Sequence, residues 1–120
     1  MEPHRKTVKV IEDDPDMLYM LDKALNNAGY AVIKCEMGAD IVSGGLVTPD
    51  LYVLDKNLPI IDGIALCKFL KIHNETKSIP IIMISGYPVE RTAKEVGVSE
   101  FISKPFELSR FLDAVHKCIN

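Results

Sequence analysis

Asp55 ends an apolar run, Leu51-Tyr52-Val53-Leu54, and is followed by Asn57-Leu58-Pro59 and then Asp62-Gly63. Glu12, Asp13 and Asp14 follow an earlier apolar run, Ser85 ends a third, and Lys104 ends a fourth, directly before Pro105. Each strand-like segment therefore delivers a polar group at its C-terminal end. Open parallel sheets bind ligands along that edge. The set holds a carboxylate nucleophile, candidate metal ligands, a hydroxyl and a cation. Together they suit chemistry on a phosphoryl group.

The elements that must position these groups alternate along the chain. Thr7-Val8-Lys9-Val10-Ile11 reads as a strand running into the acidic cluster. Pro15 suits the first residue of a helix capped by Asp14. Leu18, Leu21, Leu25 and Ala28 recur at helical spacing until Gly29 stops the helix. A short strand is expected from Tyr30 to Cys35, and a short helix from Ala39 to Ser43, broken by Gly44-Gly45. Leu51 to Leu54 is continuously apolar, as in a parallel sheet covered on both faces.

A further helix is expected from Ile64 to about His73, entered through Asp62-Gly63, and a strand from Ile79 to Ile84. Pro80 is tolerable only at the start of that strand. Pro88 opens a brief helix through about Val96, and Glu100 to Ser103 reads as a short strand. The last helix, Glu107 to Ile119, places Leu108, Phe111, Leu112, Val115 and Ile119 on one face. Strands alternating with helices in this way imply an α/β, doubly wound, five-stranded parallel sheet between helical layers. Right-handed crossovers make the order 2-1-3-4-5 the natural one, with a switch point between the first and third strands. Glu12 and Asp13 would flank that crevice on one side and Asp55 on the other. No repeat, linker or low-complexity stretch divides residues 1–120, so a single domain is expected.

A chain of 120 residues, 48% hydrophobic and 26% charged, has the make-up of an ordinary globular domain that needs no disulfide or structural metal. Its net charge of -3 argues against a broad nucleic-acid-binding face. Cys35, Cys67 and Cys118 are widely spaced and read as buried thiols in a reducing cytosol. Glu2, His4, Arg5 and Lys6 precede no apolar core of a signal peptide, and no apolar stretch approaches bilayer-spanning length. A soluble, cytoplasmic protein is expected. His4, His73 and His116 have no metal-ligand spacing, and Met17, Met20, Met37 and Met83 read as core fillers.

Taken in order, Val10-Ile11-Glu12-Asp13-Asp14-Pro15, Leu54-Asp55-Lys56-Asn57-Leu58-Pro59, Asp62-Gly63, Ser85 and Lys104-Pro105 form a pattern more specific than any of its parts. Over essentially the whole chain it resembles the receiver domain of two-component response regulators, the CheY-like proteins of flavodoxin-like fold. The resemblance implies that Asp55 accepts a phosphoryl group. It implies a Mg²⁺ site in which Asp13 and Asp55 bind directly, Glu12 acts through water and the Asn57 backbone carbonyl completes the set. Ser85 would donate to a phosphoryl oxygen, and Lys104 would supply a second positive charge. Phe101 occupies the position of the family's switch aromatic, paired with Ser85. Asn57 and Tyr87, two residues beyond Asp55 and Ser85, would flank the path of the hydrolytic water.

The function so implied is that of a phosphorelay receiver. It would take phosphate from a sensor histidine kinase or histidine phosphotransfer protein and change its affinity for a downstream protein. It would act as no enzyme on other substrates, catalysing only its own phosphorylation and dephosphorylation. No nucleic-acid or membrane partner is implied.

Plainer readings stand beside this one. Glu12, Asp13 and Asp14 also suit a solvated helix start favoured by the helix dipole. Asp55 can be a turn acid, Lys104 a surface lysine, Ser85 a turn cap and Phe101 a core aromatic. A pseudo-receiver that binds partners without phosphotransfer is a second function class. A phosphatase of the haloacid-dehalogenase type is a third, but it would want an acid where Asn57 stands. The chain also departs from the receiver pattern in two ways. The stretch from Ser85 to Lys104 is shorter than usual by about one helical turn, and Phe101 lacks a tyrosine hydroxyl, so a switch there must work by packing.

Overall fold

A computed structural model of the chain describes residues 5–36, 48–58 and 61–120. Its strands are β1 (Thr7–Ile11), β2 (Ala31–Cys35), β3 (Leu51–Asp55), β4 (Ile81–Ser85) and β5 (Glu100–Ser103). Its helices are α1 (Pro15–Asn27), α2 (Gly63–Ile72), α3 (Glu90–Glu95) and α4 (Leu108–Ile119). The strands form one sheet in the order β2-β1-β3-β4-β5, every neighbouring pair parallel. This is the expected topology, with its switch point between β1 and β3. The helix expected over Ala39–Ser43, and Met37, lie outside the described residues.

Burial explains why the unbroken apolar runs became central strands. Every residue of β3 and β4 is buried, because helices cover both faces of the sheet. On one face Leu18, Leu21 and Leu25 of α1 and Phe111 and Val115 of α4 pack on Val8, Val10, Val53, Ile82 and Ile84. On the other, Leu66, Cys67 and Leu70 of α2 and Ala93 of α3 pack with Leu54, Met83 and Phe101. Alternate residues of each strand serve opposite layers, as the two-residue period requires.

Local signals set the ends of the helices. The Asp14 side chain caps α1 by accepting from the Asp16 N–H, with Pro15 in the first turn. Gly29 takes φ +97° after α1, a conformation that glycine adopts without a Cβ penalty. Some placements differ from expectation. Pro80 falls outside β4, having no N–H to give the ladder. α3 has only six residues, starting at Glu90 rather than Pro88, and Val89 at its N-cap offers no side-chain cap. On α4, Leu108 is 39% exposed whereas Ala114 is buried. The first turn of α4 starts at the C-terminal edge of the sheet, where less sheet lies beneath it.

Candidate functional site

The C-terminal ends of β1, β3, β4 and β5 bring their polar groups to one edge. The Glu12 N–H donates to the Cys35 carbonyl at 3.0 Å, which continues the β1–β2 ladder past β1 and draws Glu12 inward. Its side chain is 2% exposed, and Oε2 accepts from the Asp14 N–H at 3.3 Å. Asp13 is left exposed between the buried Glu12 and the capping Asp14.

Asp55 closes β3 and is 8% exposed. The next residue is held on both sides of its Cα: Lys56 N–H donates to the Ile84 carbonyl at 3.1 Å, and Gly63 N–H donates to the Lys56 carbonyl at 2.7 Å. This close approach is why residue 63 is glycine. A Cβ there would lie 2.5 Å from the Asp55 carbonyl oxygen and 2.7 Å from Lys56 Cα. The Asn57 N–H donates to Asp55 Oδ1 at 3.3 Å, leaving Oδ2 toward Lys104.

Ser85, buried at the end of β4, accepts from the Tyr87 N–H through Oγ at 2.9 Å. Its carbonyl accepts from the Lys104 N–H at 2.8 Å. The Lys104 ammonium then reaches Asp55 Oδ2 at 3.3 Å and Glu12 Oε1 at 3.9 Å. A cis peptide joins Lys104 to Pro105.

Glu12, Asp13 and Asp55 can each offer a carboxylate oxygen within 4.8 Å of the others. One ammonium among them cannot balance three carboxylates. Burial, and then the neighbouring Asp55 charge, push the Glu12 pKa up to about 7; the Asp14 N–H and Lys104 oppose this less strongly. Clustered oxygen donors with excess negative charge fit a hard divalent cation such as Mg²⁺.

The family model for the response regulator receiver domain matches residues 8–116. The chain belongs to that family. Relatives of this receiver include the polar-differentiation response regulator DivK of Brucella anthropi, 26% identical over 114 residues, covering 92% of this chain and 93% of the relative. A solved response regulator structure from Chloroflexus aurantiacus is 30% identical, with a TM-score of 0.89 over 97% of this chain and 98% of that one. The receiver domain of a signal transduction histidine kinase from Syntrophus aciditrophicus is 28% identical, with a TM-score of 0.85 over 95% of this chain and 89% of that one.

Among the residues singled out from the sequence, Glu12, Asp13, Asp55 and Lys104 meet at one point, with Ser85 one strand away and tied to Lys104 by its backbone. Asn57 touches Asp55 through its N–H. Two others sit apart. Phe101 is buried in the layer under α2 and α3, and Tyr87 meets the site through its backbone while its side chain is 57% exposed. His73 and His116 are held elsewhere, by the Phe69 carbonyl at 2.8 Å and the Tyr30 hydroxyl at 2.6 Å. Among the described residues, no helix is long and apolar enough to cross a membrane.

The sequence reading missed an ion pair across the loop after β3, Lys56 Nζ to Asp62 Oδ1 at 2.9 Å. It also missed a clamp on β5, where Arg110 donates to the Phe101 carbonyl at 3.2 Å and pairs with Glu100 at 3.8 Å. Lys56 was in view, since it directly follows Asp55, but nothing in the spacing of two loop charges says that they meet.

Proposed function

We propose that residues 1–120 act as a single phosphorelay receiver in which Asp55 is the phosphoryl acceptor. The observation that carries this reading is the convergence of Lys104 and the Glu12/Asp13 carboxylates on Asp55, which is almost buried yet opens onto the cleft.

In the reaction, an Asp55 carboxylate oxygen attacks phosphorus of a phosphohistidine on a sensor kinase or phosphotransfer protein. The P–N bond breaks, the imidazole nitrogen leaves with the electron pair, and an acyl phosphate forms. Lys104 neutralises charge on one side of Asp55, and the Ser85 hydroxyl donates to a phosphoryl oxygen. Asp13, Asp55 and the Asn57 carbonyl would hold Mg²⁺ directly and Glu12 through water; the bound ion supplies the remaining positive charge. Hydrolysis of the acyl phosphate by water resets the domain. The phosphorylated form differs in affinity for a downstream protein, with Ser85 and Phe101 as the switch residues. No other substrate is turned over, and the module works in the cytoplasm.

The test is to incubate the purified chain with Mg²⁺ and a small acyl phosphate and to locate the added mass. A phosphoryl group on Asp55, lost in a folded Asp55→Asn variant, is expected. Undiminished labelling of that variant would overturn the assignment. A wild-type chain that takes no label from any phosphodonor would point to a binding module without phosphotransfer.

A further inference from the structure

We propose that Lys56 and Asp62 form a positioning pair for the phosphoryl site, holding the peptide of Asn57 against Asp55. The inference rests on the receiver reading above and adds to it two residues that touch neither phosphate nor metal.

Asp62 divides its carboxylate between two tasks. Oδ2 accepts from the Ile64 N–H at 2.9 Å and caps α2, while Oδ1 meets the Lys56 ammonium at 2.9 Å. The Lys56 backbone is held independently, by its N–H on Ile84 of β4 and its carbonyl under the Gly63 N–H. Lys56 is thus anchored at both its backbone and its side-chain end, with the far anchor on the helix start. Asn57 is the next residue, and its N–H contacts Asp55 Oδ1 at 3.3 Å. A rotation of the Lys56–Asn57 segment would break that contact and move the Asn57 carbonyl assigned to the metal. The ion pair opposes that rotation.

Its side chains are 25% and 42% exposed, so little of the global stability depends on it. Its effect is local. Outer-shell partners that orient first-shell ligands characteristically change metal affinity when removed.

The charges themselves make the idea testable. If the two residues acted only through their fields, removing the Lys56 cation would strengthen Mg²⁺ binding and removing the Asp62 anion would weaken it. If they position the loop, both losses weaken binding. Mg²⁺ alone is titrated calorimetrically into the wild-type chain, Lys56→Met, Asp62→Asn, the double variant and Lys56→Arg, with thermal melts alongside. Asparagine keeps the cap on α2. Each single loss is expected to weaken Mg²⁺ binding about tenfold, with the double variant no weaker than either single one. Lys56→Arg keeps the pair and should stay close to wild type.

Opposite shifts for the two single variants, or no shift in either, overturn the pair. Should Asp62→Asn fail to fold, Lys56→Met against Lys56→Arg decides alone: loss in the first and retention in the second support positioning, and any other pattern overturns it. A wild-type chain that binds no Mg²⁺ and accepts no phosphoryl group overturns the receiver reading itself, and the pair with it. A wild type that does both, matched by its variants, overturns only the pair.

Discussion

The ammonium of Lys104 lies between two acids, 3.3 Å from Asp55 Oδ2 and 3.9 Å from Glu12 Oε1. Asp55 has the nearer contact and accepts a second hydrogen bond from the Asn57 N–H. Glu12 lies farther from the cation and almost without solvent, and burial, followed by the Asp55 charge, raises its proton affinity. The lysine is thus placed unequally between the two carboxylates.

The raised Glu12 pKa predicts how stability varies with pH. Glu12 titrates near 4.5 when unfolded and at about 7 when folded, so the native state binds the extra proton between those values. The stabilisation is full below the unfolded pKa and is lost as pH rises through 7, a contribution of about 3 kcal/mol at most. Urea midpoints of metal-free wild type and Glu12→Gln, taken at pH 5 and pH 8, read it. Wild type should lose stability relative to the variant on going to pH 8. A difference that does not change with pH would contradict the assignment.

Mg²⁺ should reverse that loss by neutralising the cluster. At a hundred times its dissociation constant, a ligand that binds only the native state adds about 2.7 kcal/mol. Asp13→Asn removes the exposed member of the cluster. Its melting temperature should respond to Mg²⁺ much less than that of wild type. An equal response would place the ion elsewhere.

Gly63 tests the packing of the start of α2 on the Asp55 and Lys56 backbone. Gly63→Ala would gain helix propensity at the start of α2, worth about 1 kcal/mol. A methyl group 2.5 Å from the Asp55 carbonyl oxygen outweighs that gain, since backbone on both sides must move. A net loss on the order of 2 kcal/mol is expected, together with slower phosphorylation. A variant as stable and as readily labelled as wild type would show that the loop yields freely.

Under the receiver reading, Tyr87 is expected to affect the lifetime of an acyl phosphate on Asp55. Its N–H is held by Ser85 Oγ, which fixes the root of the side chain beside the cleft, while the ring is largely exposed. A ring so exposed can screen water only weakly, so Tyr87→Ala should speed dephosphorylation by less than about tenfold. Decay of labelled protein at saturating Mg²⁺ is the measurement. Equal or slower decay in the variant would mean that the ring does not shield the site.

The sheet order was legible because β3 and β4 carry unbroken apolar runs and because polar residues cluster only at strand ends. The same signal placed Glu12, Asp55, Ser85 and Lys104 on one edge, since strand ends in a parallel sheet share a side. Other features depend on contacts between segments distant in sequence. The exposure of Leu108 depends on how far α4 overhangs the sheet, which helical periodicity does not encode. The Arg110 clamp on Phe101 joins a helix to the strand before it, and Lys56–Asp62 needs the loop to fold back. The rise in the Glu12 pKa likewise needs burial in the fold and Asp55 alongside, 43 positions away along the chain.

The hydrogen bond from the Lys104 N–H to the Ser85 carbonyl removes a degree of freedom from the site. The hydroxyl and the cation belong to different strands, yet their backbones are coupled at 2.8 Å. Ser85 and the end of β5, which leads into α4, are therefore not free to move independently. The coupled ends of β4 and β5 lie on the side of the sheet away from β2, so a displacement of one strand end is shared by the other there.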